Sequence, residues 1–328
     1  MTMNTRRSIL SMALTTLAPP IALSAAQGAS PWPNRQIRIV HGFAPAAATD
    51  SYARGVGELI TAQTGTSCYV ESKAGASGVI GTDFVAKASP DGYTLLVGTA
   101  GTHTINVSLY QQLPYDSEKD FEPITLLGDI PNILCVNRDL PVSDVQSFIS
   151  YVRSKPGQLN FGTSGNGTSM HLAAEQFMAA TGTKMTHVPY RLSSGGITDL
   201  ISGQIQLMFH HVPVMLPLIK AGTVKALGVT SSSRVSVVPD IPTIAERGLP
   251  GFESITWYAL FAPRGTPSPI VDRLNGIVTS GLTGLFGKRL RELGSIPRPS
   301  TPQELRDTVA RDTEYWRAII KRLNLTPL

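Results

Sequence analysis

Cysteine is nearly absent from this sequence, with only Cys68 and Cys135 present, and that excludes a disulfide scaffold and any site built from several thiolates. Each lies in an apolar run, Cys68-Tyr69-Val70 and Ile133-Leu134-Cys135-Val136, where a thiol behaves as a small core residue. An oxidising compartment permits a bridge, but sequence fixes neither pairing nor geometry. The six histidines fall at 41, 103, 171, 187, 210 and 211, without an H-x-x-x-H pair or a neighbouring Cys, so no metal site is expected. Neither a Walker loop nor a dinucleotide fingerprint is present, so no cofactor is expected either. Charge is sparse: 28 Lys+Arg against 23 Asp+Glu gives a net +5. That excess is too small and scattered to suggest nucleic acid as a partner.

Past the first thirty residues no stretch stays apolar for the ~18 residues that a membrane span needs. The first thirty read as a segment outside the fold. Arg6 and Arg7 precede an Ala- and Leu-rich stretch from Ile9 to Leu23, which ends in small residues, Ser24 to Ala29. That order predicts a secretory signal over residues 1–29 and export from the cytoplasm. Pro19 and Pro20 break the stretch, which argues against an anchor, and no Cys marks a lipidation point. Thr5-Arg6-Arg7-Ser8-Ile9-Leu10 loosely fits a twin-arginine signal, so both the Sec and the Tat route stand open.

Just under three hundred residues remain, more than one core usually organises, and two domains are expected. Short apolar runs alternate with amphipathic stretches. Ile37 to Val40, Thr94 to Val97, Ile133 to Val136, Leu159 to Phe161, Ile205 to Phe209 and Ala226 to Val229 predict buried strands. Helices are expected after Asp50 as N-cap with Gly65 as stop, over Val145 to Ser154 behind a Ser143…Gln146 box, and over Ser169 to Ala180 before Gly182. The last starts at Thr301-Pro302-Gln303-Glu304, with Pro in the first turn and Glu304 closing the box. Strand and helix in alternation predict an α/β fold with largely parallel sheets.

In such folds ligands bind beyond the carboxyl ends of the strands. The loops there, Gly42 to Asp50, Gly98 to Asn106, Gly162 to Ser169, Tyr190 to Gly196 and the His210-His211 turn, are rich in Gly, Ala, Ser and Thr. Small residues let backbone N–H groups approach a ligand, and helix N-termini add unpaired donors, so these loops suit an anion. For Gly162 to Ser169 an ordinary turn with its N-cap is an equal reading. Ser164 with His171 is the pair to test for hydrolysis. It lacks the Gly-x-Ser-x-Gly elbow, and His171 lies inside the helix, which reads as structural.

Ile37-Arg38-Ile39-Val40-His41-Gly42-Phe43-Ala44-Pro45 with Thr49-Asp50, Ser89-Pro90-Asp91-Gly92-Tyr93, Gly98 to His103, Gly162 to Glu175 and His187-Val188-Pro189-Tyr190 carry a resemblance. So do Pro239-Asp240-Ile241-Pro242-Thr243, Gly248-Leu249-Pro250-Gly251 and Phe261-Ala262-Pro263. In this order they resemble the Bug family, the TctC-like periplasmic substrate-binding proteins of tripartite tricarboxylate transporters. The resemblance implies a type II periplasmic-binding-protein (Venus-flytrap) fold, with two α/β lobes and a ligand cleft between them. Lobe 1 would comprise residues 31–128 plus 256–328 and lobe 2 residues 129–255, with crossings near Gly128 to Pro131 and Phe252 to Thr256. It also implies a monomeric receptor, not an enzyme, that delivers a small carboxylate to TctA/TctB-like membrane subunits. A ligand sensor for a two-component kinase would use the same fold, and a secreted Ser hydrolase is the enzymatic rival.

The ligand contacts expected from the resemblance are Phe43, Ala46, Ala47, Thr49 and Asp50 in the first loop, Thr99, Gly101, Thr102 and His103 in the second, and Ser164, Gly165, Asn166, Gly167 and Thr168 in the third. Tyr190, Ser193, His210 and Trp257 complete the set. Four places depart from the family pattern: the first loop, the His210-His211 turn, His41, and the Tyr190 to Gly196 loop, where Leu192 stands for a usual small residue. Ala46-Ala47 replaces a usual Gly pair, and Ala disfavours positive φ. His210-His211 replaces an acid followed by a small polar residue, so an acid ligand without a cationic amine is expected, favoured if the His is protonated. His41 is expected as a buried residue bonded to backbone. Leu192 and Trp257-Tyr258 suggest an apolar wall suited to an aromatic or long-chain dicarboxylate.

Overall fold

The computed structural model describes Met1, Thr2, residues 32–322 and Leu325; apart from Met1 and Thr2, the expected signal segment lies outside the described residues. From Trp32 the chain forms one compact unit. Its elements are, in order, β1 (Ile37–His41), α1 (Ala48–Thr64), β2 (Cys68–Ser72), α2 (Val79–Ala86), β3 (Thr94–Thr99), α3 (Asn106–Leu109) and β4 (Phe121–Asn137). Then follow α4 (Val145–Ser154), β5 (Asn160–Thr163), α5 (Ser169–Thr181), β6 (Thr186–Pro189), α6 (Ser193–Ser202), β7 (Leu207–His211), α7 (Val212–Lys220) and β8 (Val224–Val229). The chain closes with β9 (Ile255–Pro263), α8 (Ser268–Thr283), α9 (Leu285–Glu292), β10 (Ile296–Pro297) and α10 (Pro302–Arg322).

The strands lie in the order β2-β1-β3-β9-β4-β7-β5-β6, with β8 and β10 also pairing with β4. Pairing is parallel for β1 with β2 and β3, and for β5 with β6 and β7. It is antiparallel wherever β4 or β9 takes part. The expectation of largely parallel sheets therefore holds for the outer strands and fails at the centre. A chain that leaves one half of the sheet and later returns must run in opposite directions on the two passages. Sequence periodicity saw only Ile133 to Val136 of the 17-residue β4, because Pro123, Gly128, Asp129, Pro131 and Asn132 interrupt the apolar run. Register shifts absorb the break between Pro123 and Thr125 and between Leu126 and Gly128, as bulges do elsewhere.

β4 changes partners between Pro131, opposite Ile255 of β9, and Asn132, opposite His211 of β7. The switch is tied by a buried polar knot: Asn132 N–H donates to Thr230 Oγ1 at 2.9 Å, Thr230 Oγ1 donates to Ser254 O at 2.5 Å, and Asn132 Nδ2 donates to the same carbonyl at 3.2 Å. On one side of it lie two apolar clusters on opposite faces, one with Ile39, Val56, Leu127 and Leu260, the other with Leu96, Phe121 and Phe261. On the other side a second pair holds Phe148, Phe161, Phe177 and Phe209, and Met208, Met215 and Val229. Each half is thus a sheet covered by helices on both faces, the α/β layering. α10 joins both, since Trp316, Ile319 and Ile320 share a cluster with Ile105, Leu109 and Leu172.

Helix ends follow local chemistry. Gly65 and Gly182 take left-handed conformations at φ 72° and 63° and close α1 and α5, as C-terminal glycines do. Thr301 and Glu304 form the expected box. The box of α4 is shifted by one residue from Ser143…Gln146, since Asp144 caps Ser147 N–H at 2.7 Å and Ser147 Oγ answers Asp144 N–H at 3.0 Å. α1 begins at Ala48 rather than after Asp50, because Asp50 is drawn into the buried cluster described below. Both cysteines are free.

Candidate functional site

A cavity of about 230 Å³ opens between the two halves. From the first half it takes Phe43 to Thr49, Ser77, Thr99, Gly101, Thr256 and Tyr258; from the second it takes Ser164, Thr168, Ser169, Met170, Ser193, Ser194, Ile197, His210, His211 and Val214. None of the described lining residues is Asp, Glu, Lys or Arg. The polar lining is almost wholly hydroxyl.

Four helices begin at this wall. α1, α6 and α7 follow Ala47, Leu192 and His211, none of which caps its helix with a side chain. α5 follows Thr168, whose Oγ1 accepts from His171 N–H at 3.4 Å. First-turn N–H groups have no intrahelical acceptor and carry partial positive charge. An anion can therefore be held here by neutral donors from both halves.

Two histidines complete the wall. His211 lies between the halves, with Tyr258 Oη 3.2 Å from Nδ1 and Ser169 Oγ 3.2 Å from Nε2. A neutral imidazole donates through one nitrogen and accepts through the other, so it takes up the hydrogen of one hydroxyl and leaves the other free for the cavity. Burial holds His211 well below its ordinary pKa, and His210 is lowered to about 4 for the same reason. The protonation that would have favoured an acid ligand is not met: desolvation outweighs the hydrogen bond to His211, and the ring is neutral at physiological pH.

The first loop is held from behind. Asp50 Oδ1 lies 3.3 Å from His41 Nε2, while Oδ2 accepts from Arg54 at 2.9 Å and from Ala46 N–H at 3.3 Å. Burial pushes Asp50 up, but the hydrogen bonds from Arg54 and Ala46 outweigh it and leave the carboxyl below its usual value. His41 is fully buried and bonded to side chains, Asp50 and Thr49, rather than to backbone. Ala46 sits at φ 63°, a region that costs a residue with Cβ about 1 kcal/mol. Ala46→Gly is expected to raise the melting temperature by about 2 °C, measured by thermal unfolding of the unliganded protein; a fall would show that the turn carries no strain.

Of the residues expected from sequence, Phe43, Ala46, Ala47, Thr49, Thr99, Gly101, Ser164, Thr168, Ser193 and His210 line the cavity. Gly165, Asn166 and Tyr190 border an adjoining depression with Gly42 and Arg191, and Gly167 abuts Asn106 and Leu109. Asp50 lies behind the first loop. Thr102 Oγ1 accepts from Thr99 N–H at 3.0 Å, and His103 stacks on Phe261 at 4.0 Å in the core. Trp257 turns the other way and donates to Asp312 at 2.9 Å. Neighbouring strand residues face opposite sides of a sheet, so only Tyr258 of the supposed Trp257-Tyr258 wall reaches the cavity. Leu192 is 46% exposed and stays outside it.

Sequence reasoning missed Ser77, because the apolar run at Cys68-Tyr69-Val70 is too short to mark the half-exposed strand β2 and the turn that follows it. It also missed Ser194, Ile197 and Val214 on α6 and α7 and Thr256 on β9. Ser164 Oγ donates to Met170 Sδ at 3.2 Å, whereas His171 Nδ1 accepts from Gly167 N–H at 3.2 Å and its Nε2 lies 3.6 Å from Glu175. The serine thus has no base. Among the described residues no helix is long and apolar enough to cross a membrane, and no cluster of three His, Cys, Asp or Glu forms a metal site.

Two α/β halves joined by crossing strands around a ligand-sized cavity define a type II periplasmic-binding-protein fold, and solved structures bear this out. The Rhodopseudomonas palustris protein Rpa4515, solved with adipate, superposes with a TM-score of 0.88 at 37% identity over 90% of this chain and 100% of that one. MatC from Rhodopseudomonas palustris, solved with bound malate, gives 0.82 at 35% identity over 88% and 100%. BugT of Bordetella pertussis is 31% identical over 91% of this chain and 92% of its own. The family model described as tripartite tricarboxylate transporter family receptor matches residues 52–325, and the chain belongs to that family. It is a TctC-like receptor of the Bug type and not an enzyme.

Proposed function

We propose that this protein captures a small carboxylate, a di- or tricarboxylate or an aromatic acid, and delivers it to TctA/TctB-like membrane subunits of a tripartite transporter. The observation that carries this reading is the uncharged, hydroxyl-lined cavity flanked by four helix N-termini. An ionised acid gains donors there from both halves. The adipate and malate found in the two solved relatives support the same ligand class. Residues 32–131 with 255–322 form one lobe and 132–254 the other, turning about the Asn132-Thr230-Ser254 knot. Ligand contacts both lobes only when they are closed, so binding shifts the population toward the closed form, which the membrane subunits recognise. The protein acts as a monomer in the periplasm, exported by Sec or Tat through residues 1–29.

Proteoliposomes carrying the membrane subunits test delivery. Uptake of a radiolabelled acid is expected only when the receptor is added outside. Equal uptake without it would sink the transport reading.

A further inference from the structure

We propose that His210 sets the ligand specificity of this cleft: its Nε2–H is a fixed donor that demands a carboxylate or carbonyl oxygen, and a ligand whose ammonium group lies there is rejected. This rests on the receptor reading above and adds the selecting residue and the excluded class.

The ring's orientation and tautomer follow from its neighbours. His210 belongs to β7, where its pairing with Ile133 of β4 fixes the backbone. Its Nδ1 accepts the N–H of His211 at 2.8 Å. That nitrogen must be unprotonated, so in the neutral ring the hydrogen sits on Nε2. The side chain is 2% exposed and borders the cavity, and Nε2 has no hydrogen-bond partner among the described residues. A buried N–H without an acceptor is costly, and a ligand in the cavity that the ring borders can supply one once a small shift of the neighbouring side chains bares Nε2.

An anionic or carbonyl oxygen satisfies that donor. An ammonium meets it N–H to N–H. Such a cation also finds no counter-charge, since none of the described lining residues is acidic. Asp50, the acid behind the first loop, has both oxygens committed to His41, Arg54 and Ala46 N–H. Hydroxyls can accept from an ammonium, but they leave its charge uncompensated in a site lined by no acidic residue.

Titration calorimetry on the mature protein with probe pairs that differ at one amine tests this: malate and aspartate, glutarate and glutamate, adipate and 2-aminoadipate. Wild type is expected to bind at least one amine-free acid 10-fold or more tighter than its amino partner. His210→Leu, which loses the donor without adding charge, should weaken that acid about 10- to 100-fold, the range for a lost hydrogen bond to a charged group. His210→Gln keeps an N–H and should stay within about fivefold of wild type. His210→Asp should lose the acid and narrow or reverse the preference. Equal affinity for the acid in His210→Leu, or a wild type that prefers the amino partner, overturns the assignment while leaving the receptor reading in place. A wild type that binds no member of any pair overturns the assignment for dicarboxylates, and the wider panel of aromatic acids and tricarboxylates then decides the receptor reading.

Discussion

Lowering the pH from 7 to 5 is expected to depress the melting temperature of the unliganded protein by roughly 10 °C. Burial holds His103 and His187 down to about 3 and His210 to about 4, and it also lowers His41 and His211. The unfolded chain protonates these rings near 6.5, while the folded protein keeps them neutral. Stability is therefore full above 6.5, falls as the unfolded state gains protons, and goes on falling until the folded pKa values near 4 to 3 are reached. Each fully buried ring contributes up to ~1.4 kcal/mol per pH unit in that window. His103 and His210 alone amount to about 4 kcal/mol between pH 7 and 5. Asp129 opposes the trend, since burial raises its carboxyl, but one group shifted the other way does not cancel several. Thermal unfolding across the range decides the matter: a melting temperature that stays flat would mean that these rings are protonated in the fold.

Gly165→Val is expected to abolish tight binding, by 30-fold or more, while the protein still folds. Gly165 lies in the loop between β5 and α5 at φ 123°, and a Cβ placed there falls 2.7 Å from Ser77 Oγ across the cleft. Rotation of Ser77 accommodates one methyl; the two further methyls of Val meet its Cβ and hold the halves apart. The φ, beyond the left-handed helical region, adds a local cost of about 1–3 kcal/mol, less than the stability of a domain. Scattering makes the result specific. Wild type should contract when saturated with its acid, and Gly165→Val should not. Contraction and affinity equal to wild type would show that closure does not pass through this contact.

Much of the fold is legible in sequence where a local rule decides. The apolar stripe of α4, the left-handed glycines after α1 and α5, and the Thr301-Glu304 box are each fixed within a few residues. The loops at the strand ends are legible for the same reason, because small residues before a helix start mark close backbone approach. Properties set by packing were not. The 17-residue β4 pairs with one half of the sheet and then the other, so no single periodicity runs along it. Trp257 and Tyr258 are equal on paper, and only the register opposite Asp129 and Gly128 of β4 decides which one faces the cleft. His210 invites a reading as a cation until its burial is seen, after which it is a neutral donor. Ala46 keeps the left-handed turn that its methyl disfavours, because Asp50 holds its N–H and helix α1 starts two residues later.

Thermal scanning of the wild-type protein against aliphatic and aromatic mono-, di- and tricarboxylates and amino acids tests the central claim most directly. A ligand that binds only the native state raises the melting point, by about 3 kcal/mol of stabilisation at a hundredfold excess over Kd. A clear rise is expected with at least one carboxylate and none with the amino acids. A panel in which no carboxylate shifts the transition, or only amino acids do, contradicts that claim.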